Sequence, residues 1–304
     1  MKQAKTIAQL GEDQLIGAIR SSHQVKGLGD DTVVLPYSAR EDMLWTTDML
    51  IQGIHFHIQK NNLKKIGQKA VNRSVSDIAA MGGVPRWALW NFSAPKEMTR
   101  RDFSNLKQGV LAACRKSNLI LVGGDTACSP VLHMSVTVVG MVGKGKAIKR
   151  SSAKASDQLY VTGKLGGSIL GKHFSFQPRV SEGRWLAARG ATSMIDLSDG
   201  LLTDLRRLLK ESQCGARLYL DQIPVSPAAK QLAKKSKLRP LSHACCDGED
   251  YELLLTVPTR KAKALEREWH RRFKTKLTLI GEIQKKKGIC FFALKETVPT
   301  DTNM

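Results

Sequence analysis

Acidic side chains are scarce in this 304-residue chain, 27 against 48 Lys plus Arg, yet many stand where chemistry is done. In "KGLGDDTVVL" (26–35) Asp30 and Asp31 follow a Gly-x-Gly turn. Asp48 follows Thr46 and Thr47 inside the apolar run "MLWTTDML" (43–50). Asp77 follows Ser76 and precedes "AAMGG", and Asp125 follows Gly123 and Gly124. Asp196 and Asp199 bracket Leu197 and Ser198, while Glu249 and Asp250 follow Gly248. Acids that only keep a surface soluble sit on helix faces with Lys or Arg four residues away. These stand beside Gly, Ser or Thr, at junctions next to apolar runs.

Taken singly, most have an ordinary structural role. Asp30 or Asp31 stabilises a turn, and Asp199 suits the first turn of a helix. Asp48 resists that account, because Asp is disfavoured in strands. Taken together, they point to metal. Several carboxylates brought to one place repel unless cations lie between them. Mg²⁺ takes oxygen ligands and bridges carboxylates to phosphates. Thr46, Thr47 and Ser198 add oxygens, and the glycines let backbone approach a phosphate closely. The net charge of +21 draws polyanions to the remaining surface.

Other motifs are rejected on chemistry. "GGSILGKH" (166–173) fits G-x-x-x-x-G-K, but His173 stands where a P-loop needs Ser or Thr. It reads as a turn and a helix start. "GLGDDT" lacks the third glycine of a dinucleotide fingerprint, and a strand follows it. His55 and His57 in "GIHFHI" are read as facing one way on a strand, and a substrate contact from one is favoured over zinc. The six cysteines form no C-x-x-C pair and suit reduced thiols in the cytoplasm.

The elements that must position these residues alternate between strand and helix patterns. Strands are expected at 43–50, 87–94, "NLILVGGD" and "HMSVTVVGMVG". Leu63, Ile66, Gly67, Ala70, Val71, Ser74, Val75, Ile78 and Ala79 are spaced as one helix face. After "KGKAIKRSSAKASD" the pattern restarts at "QLYVTG", and a helix with Leu201, Leu205 and Leu208 inward follows "MIDLSDG". Strands at "ARLYL", "YELLLTV", "KLTLIGEI" and "GICFFAL" complete the second half. The reading is α/β, of mixed α+β character, with domains at 1–146 and 147–304. No apolar run approaches the length of a membrane span, and the start has no apolar signal-peptide core. In 260–276 Leu265, Trp269 and Phe273 recur every four residues, so this basic run is an amphipathic helix rather than a base-stacking surface.

"GLGDDTVVL", "TTDMLIQGIHF", "SVSDIAAMGGVP", "LVGGDT", "MIDLSDGL" and "DGEDYELLLTV" occur in an order and spacing that resemble the thiamine-monophosphate kinases. That family sits in a superfamily with aminoimidazole ribonucleotide synthetase, selenophosphate synthetase and a hydrogenase-maturation protein. The similarity covers residues 11–283. It implies two α/β domains with ATP between them, and a homodimer whose first-domain sheets form a barrel. It implies Asp31, Thr46, Thr47, Asp48, Asp77 and Asp125 as ligands of several Mg²⁺ ions, with Asp196 and Asp199 added from the second domain. Gly124, Asp125, Arg150 and Ser198 are implied as ATP contacts, and His55 and Glu249 as contacts to thiamine monophosphate. No covalent nucleophile is implied. The family's "GGEDYEL" reads "CDGEDYEL" here, with Asp247 for a glycine, and its closing aromatic segment has no counterpart in "LKETVPTDTNM".

The leading expectation is therefore ATP-dependent phosphorylation of thiamine monophosphate to thiamine diphosphate. The rivals are another ATP-dependent member of the superfamily and a basic nucleic-acid-binding protein that keeps the fold. Selenophosphate synthesis is disfavoured, because it uses a Cys or selenocysteine near the N-terminus and the first cysteine is Cys114.

Overall fold

The computed structural model describes residues 12–21, 29–58 and 62–293. The tail in which the closing aromatic segment was sought, and Lys26 to Leu28 of the first glycine turn, lie outside the described residues.

The first half runs α1 (Glu12–Arg20), β1 (Val33–Pro36), β2 (Glu41–Ile51), α2 (Leu63–Ala80), β3 (Val84–Ala94), α3 (Arg100–Lys116), β4 (Ile120–Gly123), β5 (Thr126–Cys128) and β6 (His133–Gly143). Its sheet has the order β1-β2-β6-β3-β4, with β5 also on β3. Pairing is antiparallel except for β4 and β5, which run parallel to β3. Within one chain this sheet is open.

The second half runs β7 (Asp157–Thr162), α4 (Lys172–Ser175), α5 (Val180–Arg189), β8 (Ser193–Asp196), α6 (Leu201–Ser212), β9 (Gly215–Tyr219), α7 (Pro227–Ser236), α8 (Pro240–Cys246), β10 (Leu253–Pro258), α9 (Thr259–Arg272), β11 (Leu277–Gln284) and β12 (Gly288–Phe292). Its sheet has the order β12-β9-β11-β7-β10-β8, antiparallel except for β12 beside β9. Leu265 and Trp269 of α9 are buried, as their four-residue spacing requires.

The two halves meet along α2. Asn62 caps its start by accepting from the Lys64 backbone N–H. Ile66, Val71, Val75 and Ile78 pack into the first core with Leu44, Met134 and Val138. The spacing predicts one dry face, yet thirteen of the eighteen residues of α2 are buried, because elements of both halves cover it. Small residues let backbones approach. A Cβ on Gly67 would stand 2.3 Å from the Leu106 carbonyl oxygen, and one on Gly109 would stand 2.0 Å from that of Lys64, so α2 and α3 touch main chain to main chain. Gly183 of α5 does the same on the other side, with the Ala79 carbonyl oxygen 2.1 Å from any Cβ there.

This last contact seats the second half against the end of α2 that carries Asp77. Gly183→Ala is expected to force the helices apart at a cost of about 1–3 kcal/mol. Thermal unfolding should show a melting temperature lower by several degrees. An unchanged value would mean that the contact does not hold the halves together.

Candidate active site

Side chains alternate across a strand, so β2 sends Thr46 and Asp48 toward α2 and Thr47 to the opposite face. Thr46 Oγ1 donates to Asp77 Oδ2 at 2.5 Å. Asp48 accepts from Arg73 and Ser74, each at 3.3 Å. Thr47 meets Ser135 and Thr137 of β6 at 3.2 and 3.1 Å.

Three carboxylates arrive here from three places. Asp31 precedes β1, Asp77 lies in the last turn of α2, and Asp196 ends β8. Their oxygens lie within 4.8 Å of one another, which makes the trio the one group of metal-ligating type found among the described residues. Ser76 Oγ donates to Asp196 Oδ2 at 2.6 Å, so a hydrogen bond from α2 fixes the second-half acid. Burial pushes the Asp77 carboxyl well above its ordinary range, and the charges of Asp48, Asp196 and Asp31 push the same way. Burial and then Asp31 do the same to Asp196. Such a set is tolerable when positive charge lies among the acids. Every donor is a hard oxygen, which fits Mg²⁺ and not a thiophilic metal.

One protein cation already serves one edge. Arg150 grips Asp31 with Nη2 and Nε at 2.7 and 3.3 Å, and its backbone N–H donates to Asp30 Oδ1 at 2.7 Å. Burial opposes the charge on Arg150, but Asp31 outweighs it and raises the pKa. Asp199 is held by Arg207, and its backbone N–H donates to the buried Asp204.

A second cluster lies farther along α2. Glu249 has a positive φ of 63° and anchors its loop through a 2.7 Å bond from its N–H to the Ser198 carbonyl. Its carboxylate meets the fully buried Lys69 ammonium at 2.6 Å and His173 Nδ1 at 2.9 Å. Burial alone would raise the Glu249 pKa; the His173 hydrogen bond and the Lys69 charge overcome it and hold the group at about 2. Lys69 Nζ also lies 2.9 Å from His173 Nδ1, a nitrogen that serves only one of its two neighbours at a time.

The two clusters border one cavity of about 690 Å³. Asp31, Thr46, Thr47, Asp48, Asp77, Asp196 and Asp199 are in its wall, as are Arg150, Ser198, His55 and Glu249. Gly124 and Asp125 are not. They are exposed at the turn after β4, where Asp125 accepts from the Thr126 backbone N–H at 2.8 Å. A second cavity of about 560 Å³ begins one residue later, at Thr126, with Phe92 and Phe103 among its walls.

One expectation needs correction. His55 and His57 are not on a strand. β2 ends at Ile51, whose N–H donates to His55 Nδ1 at 3.0 Å and pins the ring in a turn. His55 enters the cavity wall and His57 is exposed and outside it. The replacement Asp247 also lies outside that wall: it accepts from the Gly167 N–H at 2.7 Å and pairs with His243 at 3.0 Å.

Sequence reasoning passed over Arg73 and Tyr251, which line the cavity, and Lys69 and His173 behind it. For Lys69 and Arg73 the signal was present in the i, i+4, i+8 spacing of Lys69, Arg73 and Asp77, which places the three along one polar stripe of the helix.

The fold and the acid-lined cleft define a class. Models of the AIR synthase related proteins match this chain, the N-terminal domain at residues 29–142 and the C-terminal domain at 118–292. The thiamine-monophosphate kinase of Rhodopirellula baltica is 36% identical over 290 residues, covering 90% of this chain and 89% of its own. That of Escherichia coli K12 is 32% identical, with coverage of 90% and 89%. A solved structure of AaThiL complexed with AMPPCP and TMP superposes with a TM-score of 0.86 at 27% identity, covering 97% of each chain. The chain belongs to the thiamine-monophosphate kinase family within the AIR synthase related proteins.

The crowding of buried acids has a measurable consequence. In EDTA, Asp77→Asn removes one repelling charge and should raise the melting temperature by about 2 °C or more. Mg²⁺ should then stabilise the parent chain and not the variant. A variant that melts lower in EDTA, or gains as much from Mg²⁺ as the parent, would contradict the cluster as a cation site.

Proposed function

We propose that this protein transfers the γ-phosphoryl group of ATP to thiamine monophosphate, giving thiamine diphosphate and ADP. The observation that carries this reading is the convergence of Asp31, Asp77 and Asp196, from two halves of the chain, in one cavity of about 690 Å³. AMPPCP and TMP bound to a structural neighbour, AaThiL, support the pairing of nucleotide and acceptor.

An oxygen of the acceptor phosphate attacks the γ-phosphorus in line, and the bond from that phosphorus to the β-phosphate oxygen breaks. ADP leaves with that oxygen. The acceptor oxygen is already anionic, so no general base is required, and the barrier is the repulsion between two polyanions. Mg²⁺, when bound, would supply neutralisation of the phosphates' charge. Asp31, Asp48, Asp77, Asp196 and Asp199 would hold several such ions, with the Thr46 hydroxyl and the Thr47 main chain adding oxygens. Arg150 and Ser198 orient the nucleotide at the Asp31 side. His55 and Glu249 orient the acceptor at the Lys69 side.

The working unit in this proposal is a cytoplasmic homodimer of chains divided at residues 146 and 147. Trp45, Met49, Trp87 and Leu89 are exposed on the first sheet, on or beside the face that bears Thr47. A patch of that kind suits burial against a second copy, the two open sheets closing into a barrel. Gly124 and Asp125 lie at its rim and meet the nucleotide in the assembled dimer, whose adenine suits the Phe92 and Phe103 walls of the second cavity.

The test is to incubate the purified protein with ATP, Mg²⁺ and thiamine monophosphate and to separate the products. Thiamine diphosphate and ADP should appear in equal amounts. Asp125→Asn should lower the rate by about a hundredfold. ADP without thiamine diphosphate, or full turnover by the variant, would contradict the reading.

A further inference from the structure

Along the polar stripe of α2, Lys69 is bonded to Glu249, Asp77 belongs to the carboxylate cluster, and Arg73 stands one turn from each. Arg73 is a cavity-wall residue with an unusual lack of partners. Its Nη2 reaches Asp48 at 3.3 Å, a long single contact. Its Nε and Nη1 are buried, and no acceptor among the described residues lies within hydrogen-bond reach of either. Arg150, on the other side of the cluster, makes the two-point grip on Asp31 that Arg73 does not make on Asp48.

A second observation points to the same spot. Tyr251 is 2% exposed, lines the cavity and has no partner for its hydroxyl among the described residues. Its ring is clamped by stacking on Phe176 at 3.9 Å, and its backbone is fixed by a positive φ of 50°. A buried donor without an acceptor is retained where something else completes it. Guanidinium and phenol donors that share one wall call for a ligand with several acceptor oxygens and negative charge.

We propose that Arg73, assisted by the Tyr251 hydroxyl, is the anion anchor of the acceptor half of the cavity, gripping the phosphate group of a phosphomonoester between Glu249 and the carboxylate cluster. The proposal rests on the kinase reading and adds the residue that selects the acceptor's phosphate. The wall then carries an arginine on each side of the acids, Arg150 toward the donor and Arg73 toward the acceptor. Engagement of a phosphate oxygen by Arg73 frees Asp48 from the ion pair the two share at the moment the acceptor arrives.

The test is calorimetric titration of the full chain, in Mg²⁺ and ADP, with thiamine monophosphate and with thiamine. The parent chain should prefer the monophosphate. Arg73→Met should weaken the monophosphate about tenfold or more and change thiamine and ADP by less than twofold, with Arg73→Lys restoring part of the loss. Tyr251→Phe, which removes one oxygen and keeps the packing, should weaken the monophosphate alone by about threefold. It decides the matter if Arg73→Met does not fold. Monophosphate binding unchanged in these variants, or weakened equally for thiamine, would overturn the assignment while leaving the kinase reading intact. A parent chain that does not prefer the monophosphate over thiamine would remove the kinase reading and the assignment with it.

Discussion

Three carboxylates are held within 4.8 Å of one another at the seam between two halves of a protein that is otherwise strongly basic. Like charges in a poorly solvated place repel, and folding alone gives no reason to collect them. The rest of the structure is arranged around holding them there. Asp77 is fixed by Thr46, Asp196 by Ser76 and Asp31 by Arg150, so each acid has a dedicated hydrogen-bond donor. Repulsion held in this way is the electrostatic condition that positive charge among the acids relieves.

The central helix α2 makes the arrangement possible. It presents Ser76 to the second half, Asp77 to the cluster, Arg73 to the cavity wall and Lys69 to Glu249 behind that wall. Its close approach to α3 and α5, through Gly67, Gly109 and Gly183, fixes the position of that polar stripe to within main-chain contact. Rigid placement suits a kinase, because phosphoryl transfer draws its rate largely from position and electrostatics.

Much of this was legible in the sequence. Strands such as β6 and helices such as α6 followed from alternation and from four-residue spacing. Asp31, Asp77 and Asp196 stood out because each breaks the habits of a surface acid. What escaped notice shared a physical cause. Periodicity divides a helix into one dry and one wet face and leaves Lys69 and Arg73 off the dry one, whereas packing on both sides of α2 leaves Lys69 fully buried. Tyr251 read as the start of a strand, but the strand begins at Leu253, and the preceding turn is what brings Glu249 and Tyr251 to the wall. His173 sat in a string that imitates a P-loop. Its neighbour Lys172 is spent on Glu252 at 2.9 Å, while His173 itself supports Glu249. Asp125 stood in the same kind of sequence setting as the other acids, yet it lies at an exposed turn outside the cavity wall, which no local pattern could tell.

The account stands on cations being shared between the two halves. The direct measurement is Mn²⁺ titration followed by the paramagnetic signal of the free ion, with AMPPCP present, on the parent chain and on Asp196→Asn. The account predicts that the parent takes up Mn²⁺ with nucleotide and that Asp196→Asn loses at least one ion, although the ligands of the first half are intact. Identical uptake by the two proteins would contradict it.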